Sequence, residues 1–198
     1  MDYKYKYLKY KQKYIVLRNL FDGIRDNNIQ FKFIDLDDYP DKDKKDCQLE
    51  EIDLLLKNTG APDGDGPFFK KNILKFMQDS HVLYMLYNKQ IIGIITGKVT
   101  TDDNYINISE VEIREEYRND EYKKIGISGR KLLTEYINII ISKYKNINGF
   151  KLFNGGGVKS CFLYTKVFEE LGYKIEPYNI NCNLDSSNFT PMKFSKIS

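Results

Sequence analysis

The chain of 198 residues has no tryptophan, a single histidine, three cysteines and only five prolines. With His81 alone, and with Cys47, Cys161 and Cys182 far apart and forming no CxxC pair, no zinc site is available and no metal is expected. Cysteines odd in number and widely spaced leave a reducing, cytoplasmic setting as the default. No apolar run reaches membrane-spanning length. The lysine-rich beginning lacks the apolar core of a signal peptide, so no membrane role is expected. A net charge of +3 is too small to imply a nucleic-acid partner. What is present is a 41% hydrophobic and 14% aromatic composition, which points to one packed domain rather than a disordered chain. The excess of Tyr, Lys, Asn and Ile reads as a coding bias, and it weakens any functional reading of a single lysine or tyrosine.

The charge is unevenly placed. Residues 1 to 18 carry Lys4, Lys6, Lys9, Lys11, Lys13 and Arg18 against Asp2. Tyr3, Tyr7, Tyr10, Tyr14, Leu17 and Phe21 step through this arm at heptad spacing. Residues 1–22 therefore read as a basic amphipathic helix appended to a single domain over 23–198. It can dock on its own domain, pair with a partner or lie along an anionic surface.

Alternation marks a first strand at Ile29–Leu36, and Asp37–Asp46 is a charged linker. Two helical segments follow, around Leu49–Leu56 and Phe68–Met77, separated by the loop Ala61–Pro67. The acidic groups of that loop lack calcium-loop spacing. The runs Val82–Tyr87 and Ile91–Thr96, joined by Asn88-Lys89-Gln90, read as a hairpin of largely buried strands. A strand at Tyr105–Ile113 completes three in succession. Further on come a short strand at Gly149–Phe153, a helix with Cys161, Tyr164, Val167, Phe168 and Leu171 on one face, a cap at Gly172 and a strand from Tyr173. A closing strand is expected around Phe189–Phe194. His81, beside apolar residues at a strand's start, reads as structural.

The most informative stretch runs from Asn104 to Tyr144. Leu132, Leu133, Tyr136, Ile137, Ile140, Ile141 and Tyr144 form the apolar stripe of a helix. A charged loop ending in Lys123-Lys124-Ile125-Gly126-Ile127-Ser128-Gly129-Arg130 precedes it. A strand feeding a glycine-containing turn at a helix start makes an anion site, because the first N–H groups lack partners and the helix dipole adds positive charge. The spacing is that of neither a Walker loop nor a dinucleotide fingerprint.

This segment resembles motif A of the GNAT superfamily of N-acetyltransferases. Ile113-Arg114-Glu115-Glu116-Tyr117-Arg118 matches the strand end V-x-P-x-Y-R, with Glu115 in place of proline, and Leu132-Leu133 match the paired leucines. Asn119 to Tyr122 are additional. The glycine motif fits in two registers, one on Lys123, Gly126 and Ser128, the other on Lys124, Ile127 and Gly129; helix phase favours the second. Val167-Phe168-Glu169-Glu170-Leu171-Gly172-Tyr173 is similar to motif B of the same superfamily, Y-E-K-L-G-F. Together these cover residues 81–176, about half the chain.

The resemblance implies an α+β, GNAT-like domain with a mixed, mostly antiparallel central sheet flanked by helices. It also implies transfer of an acetyl group from acetyl-coenzyme A to a small-molecule amine. In that case Lys124, Ile125, Gly126, Ile127, Ser128, Gly129 and Arg130 hold the pyrophosphate, and the N–H of Ile113 supports the thioester carbonyl. Glu110 and Glu112, on one face of the strand, are the candidate bases. The family's tyrosine acid is replaced by Phe168, and Tyr164, one turn earlier, is the candidate substitute. A polyamine or amino sugar is the expected acceptor class, and a homodimer is left open. The competing expectation is a catalytically weak binding module of the same fold, which recruits a protein or RNA through the basic helix.

Overall fold

The computed structural model describes residues 29–35, 50, 81–100, 102–154, 157–176, 182 and 190–196. The N-terminal arm, the two helical segments before His81 and most of the Gly155–Gly157 run lie outside these residues.

Seven strands form one sheet: β1 (Ile29–Ile34), β2 (His81–Tyr87), β3 (Gln90–Val99), β4 (Tyr105–Ile113), β5 (Gly149–Asn154), β6 (Tyr173–Glu176) and β7 (Thr190–Lys196). Their order is β1-β2-β3-β4-β5-β7-β6, and only the β4–β5 pairing is parallel. The fold is thus the α+β arrangement expected, with a mostly antiparallel sheet. The β2–β3 hairpin closes through Asn88 and Lys89, both at positive φ, as a two-residue turn that matches strand twist requires. β7 enters between β5 and β6, so the closing strand lies inside the sheet's end rather than on its edge.

A 3-10 turn (Glu115–Tyr117) and three α-helices follow β4 among the described residues: a short α1 (Asp120–Lys124), α2 (Gly129–Lys143) and α3 (Gly157–Glu170). α1 contains most of the residues that are additional to the motif. The Asn119 side chain caps it by accepting from the Tyr122 N–H at 3.2 Å. Tyr122 packs with Tyr117 and Tyr87, which fastens the insertion to the hairpin.

α2 buries Leu132, Leu133, Tyr136, Ile137 and Ile140, the stripe read from the sequence, against β2, β3 and β4. The fit is tight at Gly97, where a Cβ would overlap the Tyr136 hydroxyl. α3 lies against β5 and β6 and touches α2. Its Phe168 is fully buried, stacked on Phe194 and in contact with Phe150 and Tyr173.

Cys161 and Cys182 are joined by a disulfide that ties α3 to the chain beyond β6. The default of a reducing setting did not anticipate this pairing, since a separation of 21 residues carries no recognisable motif.

Candidate functional site

The site begins with an irregularity in β4. Gly97 pairs with Ile108 but Thr96 pairs with Glu110, so Ser109 is a bulge. Ile106 and Ile108 before it, and Val111 and Ile113 after it, are in register with the residues of β3 that face α2. Glu110 and Glu112 share the opposite face with Thr96 and Ile94. The two glutamates are thus on one face, as simple alternation requires, but the bulge decides which face.

The same point ends the pairing with β5. β4 and β5 are in register only from Tyr105–Gly149 to Ile108–Leu152, after which β5 continues along β7. From Ser109 onward the β4 edge faces a wedge. The Arg114 N–H donates to the Ile92 carbonyl at 2.8 Å, across β3. Backbone groups alternate sides in a strand, so the N–H and C=O of Ile113 and of Val111 turn into the wedge. The Ile113 carbonyl accepts from Arg118 Nε at 2.6 Å. The N–H groups remain directed at the gap.

A cavity of about 560 Å³ fills this wedge. β4 supplies Ser109 to Ile113 as one wall, Ser128 and Gly129 stand at the start of α2, and Ser160, Leu163 and Tyr164 of α3 form the wall opposite. Ser128 is the N-cap of α2, its Oγ accepting from the Lys131 N–H at 3.2 Å. The N–H groups of Gly129 and Arg130 are the next of the first turn and have no intrahelical acceptor.

Of the residues singled out in the sequence, Glu110, Glu112, Ile113, Ile127, Ser128, Gly129 and Tyr164 line one cavity. Lys124, Ile125, Gly126 and Arg130 do not. Ile125 and Gly126, the latter at φ +93°, form the turn that leads into Ile127. Ile127 is itself fully buried, its N–H held by the Tyr122 carbonyl at 2.9 Å. The Arg130 guanidinium pairs with Glu170 on the surface. Helix α2 starts at Gly129 with Ser128 as its cap, which fits the register in which Gly129 is the motif's last glycine.

The two carboxylates differ. Glu112 is ion-paired with Arg118. Glu110 is half-buried, and burial raises its carboxyl above the usual glutamate range. Tyr164 is 8% exposed, and its hydroxyl is raised first by burial and then by the charge of Glu110. The tyrosine one turn before Phe168 meets the cavity; Phe168 belongs to the aromatic core.

Comparison with known proteins gives similarities to solved structures alone. No family model matches the chain, and no curated protein matches its sequence. Among structures, a GNAT family acetyltransferase from Elizabethkingia anophelis with acetyl-CoA bound is similar at 16% identity and a TM-score of 0.45. The match covers 85% of this chain and 97% of that one. The PaiA N-acetyltransferase of Thermoplasma acidophilum in complex with coenzyme A matches at 17% identity and a TM-score of 0.47, over 85% and 99% of the two chains. Diaminobutyrate acetyltransferase of Paenibacillus lautus, with its substrate and coenzyme A, matches at 12% and 0.49, over 85% and 94%.

The cavity also takes in Lys123, the first residue of the glycine loop, and six residues to which the sequence reading gave no site role: Ser109, Val111, Tyr117, Arg118, Ser160 and Leu163. Arg118 was visible as part of the strand-end motif, but its reach back to Ile113 and Glu112 is a tertiary fact. Ser160 and Leu163 lie within one turn of Tyr164, so helical spacing from that tyrosine was the available signal.

Proposed function

We propose that the chain is an N-acetyltransferase that moves the acetyl group of acetyl-coenzyme A directly to a primary amine of a small molecule, a polyamine, an amino sugar or a similar compound. The observation that carries this reading is the wedge between β4 and β5, with Glu110 and Tyr164 on opposite walls and the start of α2 at its margin.

The residues fit the cofactor in chemical kind. An exposed strand edge in mid-sheet offers N–H donors to an amide-bearing arm, and the first turn of α2 offers N–H groups and partial positive charge to a diphosphate. When bound, acetyl-coenzyme A supplies the thioester. The Ile113 N–H, with that of Val111 two residues before it, donates hydrogen bonds to a carbonyl oxygen as negative charge develops there. Glu110, raised by burial, accepts the proton that an ammonium must lose to become a nucleophile. Tyr164, kept protonated by burial, donates a proton to the departing sulfur. Glu112 is committed to Arg118, so Glu110 is the base of the two.

The test is acetyl transfer to a panel of amines by the wild type, Glu110→Gln and Tyr164→Phe. The reading expects turnover in the wild type and a large loss in both variants, with rate rising with pH through a value above the ordinary glutamate range. Coenzyme A binding with no turnover on any amine identifies a binding module of this fold instead.

A further inference from the structure

One buried polar group has no role in this scheme. Thr96, in the middle of β3, is fully buried, and its Oγ1 has no hydrogen-bond partner among the described residues. A buried hydroxyl without a partner costs stability, and native proteins hold few of them. Its place in the sheet narrows the explanation. On its face of the sheet, Thr96 has Val82 in register on one side and Glu110 in register on the other. Val82 is apolar, so across the strands the polar neighbour is the Glu110 carboxyl. Side chains so paired have Cβ atoms about 5 Å apart, within reach of one hydrogen bond or one bridging water. Glu110 lies between Thr96 and the cavity, since β4 is the strand that borders the wedge.

We propose that Thr96 is the positioning residue for Glu110: once an acceptor amine is bound, its hydroxyl donates a hydrogen bond to the Glu110 carboxylate, directly or through one water. The bond fixes the carboxylate toward the amine, and Thr96 keeps its own proton throughout. The inference rests on Glu110 acting as the base. Among the described residues, the other ionisable groups lining the cavity are Tyr164 from α3, Glu112 with its partner Arg118, Tyr117 and Lys123. None of these is on β3.

The experiment compares wild type, Thr96→Val and Thr96→Ser in steady-state acetyl transfer to the best amine of the panel, with a thermal melt of each. Thr96→Val is expected to lower kcat about tenfold, the worth of one hydrogen bond to a charged group. The KM for acetyl-coenzyme A should be unchanged. The acid limb of the pH–rate profile should move to higher pH, because a donor to the carboxylate favours its charged form. Its melting temperature should equal or exceed that of the wild type, since no bond is lost in the resting protein. Thr96→Ser should restore rate and profile. An active wild type with an unaltered Thr96→Val profile overturns the role of Thr96 and leaves the acetyltransferase reading intact. A wild type that binds coenzyme A and acetylates no amine overturns both.

Discussion

The two ends of α2 are built from similar materials and arranged to opposite effect. At its carboxyl end, His81, Tyr136, Tyr144, Lys143 and Asp35 form a closed cluster. His81 Nε2 and the Tyr136 hydroxyl are 2.6 Å apart, Tyr144 donates to Asp35, and Lys143 Nζ is 2.7 Å from the same carboxylate. His81 and Asp35 are buried, and the aromatic rings of Phe33, Tyr136 and Tyr144 surround the imidazole. At the amino end the strands part, a cavity opens, Glu110 has a raised carboxyl, and two strand N–H groups face empty space. A buried polar cluster whose members satisfy one another stabilises a fold. Polar groups held at an opening without mutual partners are equipped for a ligand.

Substitutions at the two ends should therefore separate activity from stability. The largest effect belongs to the open end. Glu110→Gln is expected to reduce kcat by about a hundredfold to ten-thousandfold. The same change should raise stability at neutral pH, because it removes a charge that burial disfavours; the two readouts are turnover and a denaturant melt. Loss of stability together with activity would make Glu110 a structural residue like those at the closed end.

Next comes the pH response of the closed end. Burial lowers the His81 imidazole from 6.5 to about 4, with the charge of Asp35 opposing and that of Lys143 assisting. The unfolded chain takes up this proton near 6.5 and the folded chain does not until about 4. Stability should thus fall as pH is lowered through that window, by about 3 kcal/mol at its foot. Carboxylates add their own slope, so the comparison is with His81→Gln, whose curve should be flatter between these values. Equal slopes would mean that His81 is charged in the folded protein.

Tyr136→Phe should follow, costing about 1–3 kcal/mol by leaving the imidazole nitrogen without its partner, with kcat unchanged. A fall in kcat without loss of stability would link the closed end to the chemistry. Smallest is Arg130→Ala. Its pair with Glu170 is nearly half exposed on both sides, so stability should change by less than about 0.5 kcal/mol. If its guanidinium leaves Glu170 for a bound diphosphate, affinity for coenzyme A falls while the melt does not move.

How much of this was legible in the sequence follows from the range of each interaction. The stripe from Leu132 to Ile140, the hairpin at Asn88-Lys89 and the cap at Gly172 depend on near neighbours, and periodicity and turn chemistry revealed them. The resemblance to the acetyltransferase superfamily drew attention to Glu110, Tyr164 and the loop before α2; Glu110, Tyr164, Ile127, Ser128 and Gly129 line one cavity, while Lys124, Ile125, Gly126 and Arg130 do not. The bulge at Ser109 depends on register with β3, and nothing in Ile108-Ser109-Glu110 announces it. Insertion of β7 between β5 and β6, the return of Arg118 to Ile113 and Glu112, and the Cys161–Cys182 disulfide are all long-range. Phe168 looked like a missing acid because the motif was read as a string; in three dimensions it stacks on Phe194, while Tyr164 faces the cavity.

The measurement that tests the central claim most directly is the melting temperature of wild type and Gly129→Glu with and without saturating acetyl-coenzyme A. A ligand at a hundred times its dissociation constant stabilises by about 2.7 kcal/mol. A carboxylate at the first residue of α2 would set negative charge and bulk where a diphosphate is to sit. The account predicts a clear upward shift for the wild type and none for the variant, with both melting cooperatively in the absence of ligand. An unshifted wild type would contradict it, and so would an equal shift in both proteins, which would place the cofactor away from the start of α2.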